Sequence, residues 1–336
     1  MKILFLYYDP HYAHAEMAKA LHADFYPTPK LRSDSSNIII GGLQIIKSVL
    51  TLPKNYEVYF CEGTYIIPAL AKKLRLLKKK AKIVNILASP LLYYIKIGKI
   101  KGVRKWFALW LLNEVDLFVS VGKMEDKLLK EISPNAKSIM VYPNPKKEVV
   151  DALLKDKRKP NLNSYRILTV GTNSAYYKGI DLVYKAFKIV KQEFPDAKLF
   201  IVGKMLDLPK YVNCSEEGIN CLGYLPNLNN IIKNSALYVH MGRGDAFGIS
   251  VIEAMLGGLP TIVSEWTGAK EVVKKVNKNL IVELDPYKLA KKIEWYFSLD
   301  YKEKLKLSTR SKMVAIHFLR SSDVKHFINK FKKLVL

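Results

Sequence analysis

Cysteine is scarce in this 336-residue chain, which carries only Cys61, Cys214 and Cys221. An odd number of thiols at spacings that fit no common zinc pattern excludes a disulfide framework as the basis of the fold. It predicts reduced side chains in a reducing compartment. Long apolar runs are missing too. No stretch approaches the roughly 18 residues of a membrane-spanning helix, and the apolar opening from Lys2 to Tyr8 is cut short by Asp9-Pro10 before it could serve as a signal-peptide core. A cytoplasmic protein is therefore expected. The chain also lacks a full G-x-G-x-x-G, a P-loop and any clustered set of metal ligands, so neither a resident cofactor nor a metal site is predicted.

Acidic residues are the other shortage. The formal net charge is +25, far from the near-neutral balance of an ordinary domain, and it calls for an anionic partner unless it is only a Lys-rich solvated surface. The two halves of the chain are about equally basic. Residues 63–113 stand apart, with 12 basic side chains between Lys72 and Lys105 and no acidic one. Trp106, Phe107 and Trp110 follow, and Tyr93-Tyr94 lie inside the run. Lysines beside aromatic rings fit an anionic membrane surface. The plainer alternative makes Leu70, Leu74, Leu77, Trp106 and Trp110 core residues under a solvated lysine face. Nucleic acid is the less favoured partner.

What the chain does contain is alternation. Short Val- and Ile-rich runs, near-continuously apolar as strands buried on both faces of a parallel sheet require, are predicted at Lys2–Tyr7, Tyr56–Phe60, Lys82–Leu87, Leu117–Val121 and Ser138–Tyr142. Amphipathic helical patterns lie between them, among them Pro68–Leu77. A polar stretch, Lys155–Tyr165, is the candidate linker. Alternation then resumes with strands at Arg166–Gly171, Lys198–Gly203, Leu237–Met241 and Thr261–Ser264 and helices at Gly179–Glu193, from about Asn227 and from Gly248. Two βα series predict two doubly wound α/β domains facing across a cleft, over residues 1–155 and 165–311. Residues 312–336 form a closing segment, with Phe327, Ile328, Phe331, Leu334 and Val335 at helical spacing behind caps at Ser321 and Ser322.

The segment Gly244–Ser264, GDAFGISVIEAMLGGLPTIVS, concentrates the chemistry. Gly248 sits where a loop opens into a helix, Gly257-Gly258 close that helix, and Pro260 leads the next strand. Such a helix directs free N–H groups and the positive end of its dipole at whatever lies beyond its N-terminus, which suits phosphate. Asp245 lies just before the helix and Glu253 lies inside it. One carboxylate can meet a ligand at the helix tip while the other accepts hydrogen bonds from hydroxyl groups deeper down. Taken singly, each is better read as a turn aspartate or a solvated helix glutamate.

The whole string resembles the retaining glycosyltransferases of family 4, which have the GT-B fold. Their E-x7-E signature around Phe-Gly reads here as Asp245, Phe247, Gly248, Glu253, Ala254, Met255, Gly258 and Pro260. Gly223-Tyr224-Leu225-Pro226, Gly171 with Lys178-Gly179, Gly268 and Glu271-Val272-Val273 extend the likeness over most of residues 165–275. The resemblance implies a nucleoside-diphosphate-sugar donor in the C-terminal domain, an acceptor in the N-terminal domain, and a last helix that returns to the N-terminal domain. Glu253 would hold the donor ribose and Asp245 would lie by the sugar ring. Phe247, Gly248 and Ile249 would cradle diphosphate and sugar beside Gly171 and Thr172, and Lys178 would neutralise the leaving diphosphate without a metal. The sequence departs from the pattern in having Asp rather than Glu at 245 and Thr172-Asn173 where the family has arginine. Arg243 is a candidate for the missing charge. The N-terminal half lacks the family's glycine pair and histidine, leaving His11, His14 and Glu62 as acceptor-side candidates. A sugar-nucleotide epimerase, a nucleic-acid-modifying protein and an inactive carbohydrate-binding relative stay open as alternatives.

Overall fold

The computed structural model describes residues 1–29, 38–319 and 324–335. It contains two compact units: Met1–Pro143 with the closing helix, and Asn144 through to the end of the preceding helix at Leu319.

In the first unit the chain runs β1 (Ile3–Tyr7), α1 (Tyr12–Ala20), β2 (Asp24–Pro27), α2 (Ile38–Thr51), β3 (Val58–Glu62), α3 (Ile66–Lys73) and β4 (Lys82–Leu87). It continues through α4 (Leu91–Lys96), α5 (Gly102–Leu112), β5 (Leu117–Ser120), α6 (Lys123–Ile132) and β6 (Ser138–Met140). All six strands are parallel, in the order β2-β1-β3-β4-β5-β6. The first crossover moves one way along the sheet and the later ones move the other way. The direction therefore reverses between the adjacent strands β1 and β3, and ligands of such sheets bind beyond the strand ends at that reversal. The inner strands are buried except at an end residue, Tyr7, Glu62 or Lys82, as their apolar runs demand.

The second unit runs α7 (Lys147–Lys155), β7 (Arg166–Val170), α8 (Ile180–Glu193), β8 (Lys198–Val202), β9 (Ile219–Gly223), α9 (Asn229–Lys233), β10 (Leu237–His240) and α10 (Ile249–Leu256). It ends with β11 (Thr261–Ser264), α11 (Lys270–Val276), β12 (Ile281–Val282), α12 (Pro286–Ser298) and α13 (Tyr301–Leu319). Its parallel sheet has the order β12-β11-β10-β7-β8-β9, so its reversal falls between β7 and β10. Tyr165, Phe194 and Phe297 pack ring against ring at one end of this core. The last helix, α14 (Val324–Val335), belongs to the first unit, where buried Phe327 and Phe331 lie against Phe60 of β3.

Five sequence expectations are corrected. The closing segment expected over 312–336 is shorter, because residues 312–319 complete α13 in the second unit and only α14 belongs to the first. The stretch 155–165 lies wholly within the second unit: Leu162 is buried and the Asn161 amide donates to the Lys233 carbonyl at 3.0 Å. The chain changes unit at Pro143–Asn144 instead, because α7 packs on α10 through buried Leu153. Cys214 and Cys221 are joined in a disulfide, with their Cα atoms 5.7 Å apart, so only Cys61 is free and buried. A turn through Gly218 (φ 82°) brings the loop before β9 back against the strand. Helix α3 ends at Lys73 rather than Leu77, since Arg75 adopts φ 57° and leaves Leu74 exposed. Trp106 is likewise exposed, not core. The caps expected at Ser321 and Ser322 fall outside the described residues.

Candidate functional site

The β7/β10 reversal of the second unit is where its charged side chains converge. The β7–α8 loop carries Lys178 and the β10–α10 loop carries Asp245. Lys178 Nζ donates to Asp245 Oδ2 at 2.7 Å. His240, the last residue of β10 and fully buried, places Nε2 2.7 Å from the same oxygen. A carboxylate only accepts, so Nε2 carries the hydrogen of this bond, while Nδ1 has no partner among the described residues. Burial of Asp245 would raise its carboxyl. The Lys178 charge and the His240 hydrogen bond outweigh that and hold it well below the usual carboxylate range.

Glycines make this approach of loops feasible. A Cβ on Gly179 (φ 70°) would stand 1.9 Å from the Met241 carbonyl oxygen, and one on Gly268 would stand 2.0 Å from that of Ala246. Gly248, at φ 84° and ψ 71°, turns the chain into α10. Phe247 stacks on Phe318 at 5.4 Å between centroids, and its carbonyl accepts from the Ala269 amide. The result is a braced loop after which Gly248, close beside the Asp245 carboxylate, and Ile249 begin α10. One turn further on, the Glu253 carboxyl group makes no hydrogen bond or ion pair among the described residues. Burial pushes its carboxyl up to about 7, with Lys146 pulling the other way.

Several participants carried no sequence signal. Besides His240, Asp207 organises the Lys178 loop, accepting from Ser174 Oγ at 2.8 Å and the Ala175 amide at 2.7 Å. Asp181 takes Arg243 in a two-pronged ion pair at 2.6 and 2.8 Å, while the guanidinium lies 4.1 Å from the Tyr176 ring centroid. Arg243 is thus committed to bracing this loop rather than standing open to ligand. Gly171 backs the loop, packed against Met205 and the Gly203 backbone, and Thr172 is exposed at its start.

Three candidates from the first half also come together, at the β1/β3 reversal of their own unit. His14 Nδ1 lies 2.7 Å from Glu62 Oε1, and that oxygen also accepts from the His11 amide at 3.1 Å. Glu62 Oε2 is buried without a partner among the described residues. His11 itself caps α1, its Nδ1 accepting from the Ala13 amide.

Two doubly wound units, one with a helix N-terminus and a lysine–carboxylate pair at its strand reversal, place charged groups where open α/β sheets bind their ligands. Residues 151–314 match the glycosyl transferases group 1 family, so the second unit is a domain of that family. An uncharacterized glycosyltransferase of Haemophilus influenzae is 26% identical over 178 residues, which cover 50% of this chain and 47% of that protein. The chain thus spans about half the length of this curated relative. The fold is GT-B. Anabaena HepE in complex with UDP and glucose superposes with a TM-score of 0.69 at 16% identity, over 99% of this chain and 98% of that one. The Escherichia coli trehalose-6-phosphate protein bound with UDP-2-fluoro glucose gives 0.71 at 10% identity, over 100% and 99%. Sucrose-phosphate synthase of Thermosynechococcus elongatus gives 0.68 at 14%, over 94% of each chain.

Proposed function

We propose that this protein is a retaining, metal-independent hexosyltransferase that moves a sugar from a nucleoside-diphosphate sugar to an acceptor hydroxyl. The observation that carries the reading is Lys178 aimed by Asp245 beside the open N-terminus of α10. An ammonium has three donors and Asp245 takes one, so the others remain for diphosphate oxygens. In the reaction the anomeric carbon–oxygen bond to the diphosphate breaks, and the acceptor oxygen bonds to that carbon on the same face. The hydroxyl proton leaves with the departing diphosphate. Charge grows on the leaving oxygen, and preorganised Lys178 with the helix amides stabilises it most at that moment. Glu253 accepts from ribose hydroxyls. Retention is inferred from the family resemblance, and HepE and the trehalose-6-phosphate protein, which bind UDP or its sugar derivatives, support a uridine donor.

On the acceptor side we assign His14 and Glu62 to holding the hydroxyl-bearing group, and the acid-free run from Lys72 to Lys105 supports a lipid-linked acceptor reached from the cytoplasmic face of a membrane. The Cys214–Cys221 bond removes cysteine usage as an argument about the compartment. The test is a thermal-shift screen of UDP, GDP, ADP and their sugars, followed by product analysis. A true donor nucleotide at 100 times its dissociation constant stabilises by about 2.7 kcal/mol. No shift with any nucleotide, or donor isomerisation without acceptor, would overturn the transferase reading.

A further inference from the structure

We infer that the helical layer α2–α3–α5 of the first unit is a docking face for an anionic lipid bilayer, with α2 as its apolar contact. The inference deepens the reading of a lipid-linked acceptor, yet stands on observations of its own. After the first crossover, every crossover in this unit moves the same way along the sheet, so right-handed connections put α2, α3, α4–α5 and α6 on one face. Their packing agrees: α2 lies on α3, α3 on α5, and α4 on α6.

Helix α2 turns Val49 and Ser48 inward. Leu43, Ile46 and Leu50, at spacings of three and four, form an outward stripe that is 60%, 53% and 62% exposed. Two helices along, Val103 and Trp106 of α5 are 80% and 62% exposed, again three residues apart, with Trp106 stacked flat on Trp110 at 5.9 Å. Leu74, at the end of α3, is exposed as well. Single exposed apolar residues need no explanation, but apolar stripes repeated within one helical layer mark a contact surface.

Charge identifies the occupant. From Ser35 to Tyr56 and from Gly63 to Asn113 the chain has no acidic residue, so α2, α3, α4 and α5 carry none. Pairing divides the lysines. Lys72, Lys73, Lys82 and Lys96 are matched to Asp116, Glu114, Asp116 and Glu131, all supplied by later segments of the chain. Lys101, Arg104 and Lys105, beside the exposed Val103 and Trp106, have no ion pair among the described residues. A second copy of this chain would bring that basic rim against itself. A single-stranded nucleic acid needs successive aromatic stacking platforms, whereas Trp106 offers one exposed ring and Leu43, Ile46, Leu50 and Val103 offer none. Basic side chains around aliphatic residues and an interfacial tryptophan match anionic headgroups above acyl chains.

The full chain is sedimented with vesicles of phosphatidylcholine alone and of phosphatidylcholine with phosphatidylglycerol, over a salt series. Two combined variants are compared: Leu43→Gln with Ile46→Gln and Leu50→Gln, and Lys101→Gln with Arg104→Gln and Lys105→Gln. Wild type is expected to pellet with the anionic vesicles at low salt and to stay soluble with the neutral ones. The charge variant should bind about 100-fold more weakly, at roughly five-fold per basic residue near the surface. The apolar variant should lose at least about ten-fold with its salt slope unchanged, since acyl-chain contact is not screened. An unaltered circular dichroism spectrum and thermal shift with nucleotide show that both variants fold and that donor binding in the second unit is separate. Wild type that ignores anionic vesicles, either variant pelleting like wild type, or a dimer dispersed by the apolar variant would each overturn the assignment.

Discussion

At Asp245 two donors share one oxygen, and the cost of burying the carboxylate is met by one partner from the β7–α8 loop and one from the end of β10. The Lys178 ammonium comes 67 residues earlier in sequence, and His240 lies five residues before. Lys178→Ala should therefore lower kcat about 100-fold or more while changing donor affinity little, because the ammonium matters most as the diphosphate departs. Steady-state kinetics with separate binding measurements check this, and unchanged turnover would remove Lys178 from the site. Glu253 makes a different forecast. Its carboxyl stands at about 7 in the folded chain, above its unfolded value, so the stability it contributes is full below about pH 4.5 and is lost as pH rises through 7. Urea unfolding at pH 5 and pH 8 should show wild type losing up to about 3 kcal/mol more than Glu253→Gln over that interval. Equal losses would show that the carboxyl is not held in this way. Asp245 and Glu253 were legible in the sequence because they flank a helix start marked by glycines. His240, Asp207 and Asp181 were not, because each acts through a partner that only the folded sheet brings near.

Among the elements, strands were the most legible and helix ends the least. Buried parallel strands announce themselves as unbroken apolar runs, and β4 and β11 fall where those runs lie. Helix α3 stops early because Arg75, not a glycine or asparagine, takes the left-handed conformation, so no residue type signals the stop. Helix α2 is apolar on nearly every side and blurs the amphipathic period. Disulfide pairing was hidden for a similar reason: three cysteines give no parity clue, and only the β9 turn brings two together. Gly179 shows how closely one element depends on another. Its left-handed φ and the Met241 carbonyl 1.9 Å from any added Cβ leave no relaxed position for alanine. Gly179→Ala should push the Lys178 loop off the end of β10, lowering stability by about 1–3 kcal/mol and abolishing the nucleotide thermal shift. Retention of that shift would mean that the loop is not part of the donor site.

For the whole molecule, the two sheets repeat one plan, a carboxylate with its nitrogen partner at the strand reversal of each unit. The residues proposed to hold the donor, Lys178, Asp245, Gly248 and Glu253, all lie in the second unit, and α14 lies in the first although it follows the second in sequence. This division predicts that ligand and packing effects separate in calorimetry. On the proposed assignment a donor nucleotide is held by groups of the second unit and should raise the transition of that unit by mass action. Phe331→Ala removes a fully buried ring packed against Phe60 and Phe327, and should cost the first unit about 3–5 kcal/mol. In that variant the first transition should move down by several degrees while the nucleotide-dependent transition keeps its position and its ligand response. If Phe331→Ala instead lowers one common transition and weakens the nucleotide shift in proportion, the units melt as a single cooperative body. Donor binding would then draw on the first unit's stability as well as on the second's.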